Sequence, residues 1–177
     1  MKITIFFIVF VVALVPLQVL RAAPVIIDGD QVRQEFASST AGSVTPPTID
    51  IPVIPETESD VAEFAKFLTI ADTDIVSISL DSTIQLTHRE VAKLFGLFTI
   101  PYTLTLSTSQ PDLRLQLTTP WWLWLSTNST SSIRTSSQQA LDKVRSSMSS
   151  STTEREALLQ RQKVLLALLM PWKAQFK

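Results

Sequence analysis

The sequence predicts an α+β protein. Its expected architecture is a small, mainly antiparallel sheet of two hairpins plus a Trp-rich strand, packed with three to four helices. An extended Pro/Ser/Thr-rich arm precedes it. Three observations carry this expectation. Two blocks, "TDIVSISLDSTIQLT" and "FTIPYTLTLSTSQPDLRLQLTT", place apolar residues at every second position, the period of a half-buried strand. Two others, "ESDVAEFAKFLTIA" and "REALLQRQKVLLALLM", place them at helical spacing. Strands and helices also come in runs rather than in strict alternation, which favours α+β packing over a parallel sheet.

The chain opens "MKITIFFIVFVVALVPLQVLRAAP", with Lys2 beside the amino terminus, an apolar run from Ile3 to Val15, and small residues at Ala22 and Ala23. That layout predicts a secretory signal peptide over residues 1–22. The alternative is a retained signal-anchor, since Ile3 to Leu20 approaches the ~18 apolar residues of a spanning helix. Residues 23–56, with their Pro, Ser and Thr and no sustained period, read as the extended arm. Residues 57–177 read as one domain ending in a helix at about 152–170.

Within that domain, Val61, Phe64, Ala65, Phe67 and Leu68 mark the first helix, with acids in its first turn. Val76, Ile78 and Leu80, then Ile84 and Leu86, mark a hairpin broken at Asp81-Ser82. "THREVAKLFG" reads as a short helix, Thr87 and Glu90 forming its capping box and Gly96 its stop. Tyr102, Leu104 and Leu106, then Leu113, Leu115 and Leu117, mark the second hairpin around "TSQPD". "STNSTSSIRTSS" reads as a polar linker before a short helix, "SQQALDKVRSSM". Ser151 and Glu154 offer a capping box for the last helix.

"PWWLWLST" holds three of the four tryptophans. As a strand it points Trp121, Leu123 and Leu125 one way and Trp122 and Trp124 the other, so both faces are apolar and burial between layers is expected. A sugar-stacking or membrane-facing surface is the functional counterpart. Trp121 and Trp124 also fit the short W-x-x-W pattern of C-mannosylation. Asn128-Ser129-Thr130 is an N-x-[ST] sequon, which makes Asn128 the expected N-glycan acceptor. In the last helix, Leu158, Leu165 and Leu169 form one row. The candidate contact surface is Trp122, Trp124, Leu165 and Leu169.

Composition excludes several chemistries. There is no cysteine, so disulfides, thiol catalysis and cysteine-ligated metals are out. A net charge of −1 without a basic cluster argues against nucleic acid. His88 is the single histidine, and at the start of a helix beside Arg89 it reads as solvated. Asp28/Asp30 and Asp72/Asp74 lack the further oxygens of a calcium loop. No nucleotide fingerprint or nucleophile elbow occurs. No catalytic, cofactor-binding or metal residue is therefore named. The expected function is that of a secreted, N-glycosylated, non-enzymatic binding protein with a protein or glycan partner, which homo-oligomerisation would also fit. The alternatives are a signal-anchored, single-pass membrane protein displaying the same domain outside the cell, and a carboxylate-dependent hydrolase. Membrane association would run through the amino-terminal segment or the carboxy-terminal helix.

Overall fold

The computed structural model of the chain describes residues 24–40, 54–110, 112–148 and 153–172. Strand β1 (Val25–Asp28) runs straight into helix α1 (Gly29–Thr40). Helix α2 (Glu58–Ala71) follows, then β2 (Ile75–Leu80), β3 (Thr83–Leu94), β4 (Phe98–Ser109) and β5 (Arg114–Thr118). A 3₁₀ turn at Trp121–Leu125, a two-residue strand β6 (Ser126–Thr127), and helices α3 (Thr130–Ser146) and α4 (Glu154–Leu169) complete the order. The sheet is antiparallel in the order β1-β2-β3-β4-β5, with β6 paired to the far end of β3.

Register follows from the period-two pattern. Ile27, Ile78, Leu86, Leu106 and Leu117 pair in one continuous row across all five strands and face the helices. The neighbouring row, Ile26, Ser79, Gln85, Ser107 and Gln116, faces away. So does the next, Ser77, Thr87, Thr105 and Thr118. One face is thus apolar and the other is lined with hydroxyls and amides, as expected of an antiparallel sheet covered on one side. Helices α2, α4 and α3 lie against β2, β3 and β5 respectively. The core between the layers includes Val61, Leu68, Ile78, Leu86, Leu104, Leu141, Leu165 and Leu168.

Several expectations are corrected. The first part of the 23–56 stretch is not an arm preceding the domain: it supplies the edge strand and α1, while residues 41–53 lie outside the described residues. Asp28 caps α1 by accepting from the backbone N–H groups of Asp30 (2.9 Å) and Gln31 (3.2 Å). Gly29 is required there, because a Cβ would sit 2.4 Å from the Ile75 carbonyl oxygen.

Of the Thr87–Gly96 stretch, Thr87 to Leu94 is strand rather than helix and Phe95 and Gly96 belong to the turn that follows, and all twelve residues of β3 pair with β4. Ile84, Leu86, His88, Glu90 and Ala92 alternate inward. The polar pair in the middle interrupts the apolar repeat and leaves Val91, Leu94 and Phe95 looking helical. Most of the expected linker, from Thr130 on, belongs to α3, whose Ile133, Ser137 and Leu141 are buried at i, i+4 and i+8, while Ser126 and Thr127 form β6. Ser137 occupies the point where α3 meets α4, and its hydroxyl donates to the Leu168 carbonyl.

Helix α4 is capped by Thr153 and Glu156, each side chain bonding the other's backbone N–H, rather than by Ser151 and Glu154. Leu165 and Leu169 are core residues, so they form no contact surface; Leu166 and Met170 are exposed in their place. Helix α2 lies where the sequence places it, with Thr57 and Asp60 closing its capping box.

Among the described residues no helix is long and apolar enough to cross a membrane. The signal-peptide expectation falls on residues outside that set.

Candidate functional site

Two features draw chemistry together: a buried charge cluster and an exposed aromatic end of the sheet. His88 is the centre of the first. Its position on β3 points inward, and the residue is only 1% exposed, so the solvated reading does not hold. Its Nε2 lies 3.2 Å from Asp72 Oδ2, supplied by the C-cap residue of α2. Its Nδ1 lies 3.2 Å from Glu90 Oε1, two residues along the same strand face. That second contact is an ion pair lying off the hydrogen-bond direction, and it leaves Nδ1 without an aligned acceptor.

Trp172 closes the cluster from the short turn after α4. Its indole stacks on the imidazole, with ring centres 4.1 Å apart and planes 19° apart. Its Nε1–H donates to Glu90 Oε1. Asp72 accepts a further bond from the Asp74 backbone N–H, and the Ser129 hydroxyl donates to Glu90.

Burial pushes the imidazole pKa down, but the hydrogen bond to Asp72, the contact with Glu90 and the two negative charges outweigh it and raise the value to about 9. Burial likewise pushes both carboxyls up. The hydrogen bond and charge of His88 win at Asp72, the His88 contact and charge with the Trp172 N–H bond win at Glu90, and both carboxyls lie below their ordinary values. The cluster is therefore an imidazolium between two carboxylates, faced by an indole that favours a cation.

This arrangement is poorly suited to catalysis. A protonated imidazole has no lone pair to act as a base, and both nitrogens already face carboxylates. Only Glu90 approaches a surface cleft, of about 280 Å³, where Ser129, Ser132 and Ser136 lie with Trp172. The carboxylates flank opposite nitrogens of the ring, so they do not converge on one point. Among the described residues no group of three or more His, Asp or Glu side chains is arranged to hold a metal. The structure thus brings Asp72 to His88, while Asp28 and Asp30 serve α1: Asp28 as its cap, Asp30 paired with Arg33 at 2.8 Å.

The second feature is the end of the sheet where β3 turns into β4. The turn is closed by the Leu97 N–H bonding the Leu94 carbonyl at 3.0 Å, with Phe95 at φ 52° and Gly96 at φ 74°. Gly tolerates that left-handed backbone, whereas a bulky ring there is strained.

The tryptophan stretch, expected as a strand, is a 3₁₀ turn fastened to this hairpin. The Phe95 N–H donates to Leu125 at 3.2 Å, and β6 pairs Ser126 and Thr127 with Leu94 and Lys93. A three-residue period puts Trp121 and Trp124 on the same side of the turn, and both are exposed. Leu123 points into the core. Trp122 is half-buried, its ring meeting Tyr102 edge-on at 6.1 Å. Of the sequence-based candidates, Trp124 is therefore open to solvent, Trp122 is chiefly a packing residue, and Leu165 and Leu169 are interior.

The sequence reading places Phe95 at a helix end and Phe98 at a strand start, assigns Leu97 to neither, and names none of the three as a contact residue. Their exposures are 64%, 79% and 63%, beside 79% for Trp121 and 76% for Trp124. The signal that marks them is the run "FGLF", a glycine turn with large apolar residues on both sides.

Asn128 follows β6 and is half-buried. Its Nδ2 donates towards Leu123 O (3.1 Å), Ser126 O (3.2 Å) and Ser126 Oγ (3.2 Å), while its Oδ1 accepts from Thr130 N at 3.0 Å. The amide clamps the tryptophan turn to the start of α3. A sugar on Nδ2 would displace one of those bonds, which counts against glycosylation of this conformation.

No family model, no curated protein and no solved structure matches this chain.

Proposed function

We propose that this chain is a secreted, non-enzymatic binding protein whose contact surface is the aromatic end of the sheet: Phe95, Leu97, Phe98, Trp121 and Trp124. One observation carries the reading. Five large apolar side chains stand out at one end of a fold whose core is already complete without them. Together they expose on the order of 700 Å² of side chain, taking about 150–250 Å² for each ring. Isolated exposed apolar residues are ordinary, but five large ones gathered on two turns that are hydrogen-bonded to each other mark an interaction site. The left-handed backbone at Phe95 supports the same reading, since strain kept at an exposed aromatic residue stabilises nothing within the fold.

The signal-anchored alternative has a geometric consequence. Val25 pairs with Leu80, beside the turn that opens β3, and the aromatic end lies at the other end of that strand. Twelve residues of strand span about 40 Å. A chain held in a membrane by residues 3–20 would therefore carry its contact surface away from that membrane.

The test is binding of the labelled protein to intact cells, compared with a W121S/W124S variant. Both indoles are exposed, so the variant should keep the wild-type melting temperature. Loss of cell binding with unchanged melting supports the reading. Equal binding by the two proteins sinks it.

A further inference from the structure

We infer that the aromatic end enters the interfacial layer of a lipid bilayer, an assignment that rests on the contact-surface reading above and names its partner. Exposure comes first. The surface is two neighbouring projections, the 95–97 turn and the tryptophan turn, joined by the Phe95–Leu125 hydrogen bond. Its side chains at Phe95, Leu97, Phe98, Trp121 and Trp124 are 63–79% exposed, and apolar side chains standing this far out suit a soft, deformable layer.

Side-chain chemistry points the same way. Tryptophan favours the membrane–water boundary because its ring is apolar while its N–H can stay hydrated. Among the described residues neither Trp121 nor Trp124 donates its N–H to a protein acceptor, whereas Trp172 does. A carbohydrate platform would add carboxylates or amides to bind hydroxyls. Neither projection contains an acid, and the Asn128 amide is occupied by Leu123 and Ser126.

Charge is complementary to a phosphate-bearing surface. The chain carries 16 acids, yet none lies between Glu90 and Asp112 or between Asp112 and Asp142, the two stretches that build this end. On the outer face of β3 behind the tip stands Lys93, which is exposed; Arg89, also exposed, lies four residues further back along the strand. Lys93 is two strand residues from Phe95, or roughly 7 Å. A bilayer's headgroup layer is about 5–8 Å deep on each side. With the apolar tip at the acyl boundary, the Lys93 ammonium lies at phosphate depth, and its stem can extend along the apolar surface. With so few cations the binding is driven by apolar area, so it does not require anionic lipid.

The experiment uses the full chain as secretory cells release or retain it, mixed with phosphatidylcholine vesicles, with tryptophan emission as the readout. Three of the four tryptophans lie in this turn, so insertion moves the emission to shorter wavelength, and phosphatidylcholine brominated on its acyl chains quenches it. The W121S/W124S variant, with Trp122 and Trp172 still reporting the fold, should show neither effect and should lose about tenfold or more of its vesicle partition. Lys93→Glu, which leaves the rings in place, should weaken partition several-fold.

Wild-type emission that ignores vesicles overturns the lipid assignment. If the W121S/W124S variant nonetheless loses cell binding, the contact surface stands and its partner is a protein. If that variant still binds cells, both readings fall. Equal sedimentation of wild type and variant without quenching would assign membrane association to residues 3–20 and also overturn the inference. So would an emission shift that grows with protein concentration in the absence of vesicles, because a second copy would then cover the rings.

Discussion

Raising the pH should weaken this fold through a single group, His88. Its pKa is about 9 in the folded protein and 6.5 in an ordinary, solvated imidazole. Below 6.5 the ring is protonated in both folded and unfolded chains, and the stabilisation from its contacts with Asp72 and Glu90 is fully present. Between 6.5 and about 9 the folded protein holds a proton that the unfolded chain has lost, so stability falls by roughly 1.4 kcal/mol per pH unit. Across that window the loss is about 3 kcal/mol, a large fraction of a small domain's total stability.

The carboxylates act in the opposite direction. Both folded values are held below the ordinary 3.8 of Asp72 and 4.5 of Glu90, so their contribution is present above those values and lost as the pH falls. The stability plateau should therefore lie between about pH 4.5 and 6.5.

Urea unfolding followed by tryptophan emission at pH 6, 7.5 and 9 measures this directly. A His88→Gln variant provides the control: it should be less stable at pH 6 and nearly flat from pH 6 to 9. A wild-type curve as flat as the variant's would mean that His88 is neutral in the folded protein, and the imidazolium cluster would be refuted.

Three other substitutions test separate parts of the structure. Trp122→Ala should cost about 2–4 kcal/mol, because its half-buried ring packs on Tyr102 and the core, while Trp124→Ala should stay within about 0.5 kcal/mol. Equal effects in urea titrations would contradict the two environments assigned to these rings. Leu165→Glu should lower stability by more than about 4 kcal/mol, since it buries an unpaired carboxylate at a position with no solvent exposure. A cooperative melt near the wild-type temperature would place that residue on the surface after all. Asn128→Gln should cost about 1–2 kcal/mol by releasing the tryptophan turn from α3. The intact mass of the secreted protein should not change on glycosidase treatment, and a mass drop abolished by Asn128→Gln would show that the clamp gives way to a sugar.

How much of this was legible beforehand depends on which residues faced inward. In β2, the first half of β3, β4 and α2, the inward positions are apolar apart from Thr108 and Thr69, so the local period identifies the element and its buried face together. At His88 and Glu90 the inward positions are polar. The local pattern then favours a capped helix, and a twelve-residue strand disappears from view. The tryptophan turn is obscured for the opposite reason. Its residues are apolar throughout, so no period is visible, and only the pairing of β6 with β3 and the Asn128 amide fix which rings are buried.

The sequence alone determined the α+β class, the alternation that gives the sheet one apolar face, the position of helix α2, and the absence of cysteine chemistry. These are properties of short windows, in which each residue's neighbours report the same face. Tertiary structure decided the rest. Burying the His88 ring requires Asp72, sixteen positions away, and Trp172, whose partner Glu90 is 82 positions away, and no local window contains both. The aromatic end likewise forms only when the strand order places Phe95 against Leu125. A cost met by distant groups leaves no local trace in the sequence, because the energy that compensates it arises only on folding.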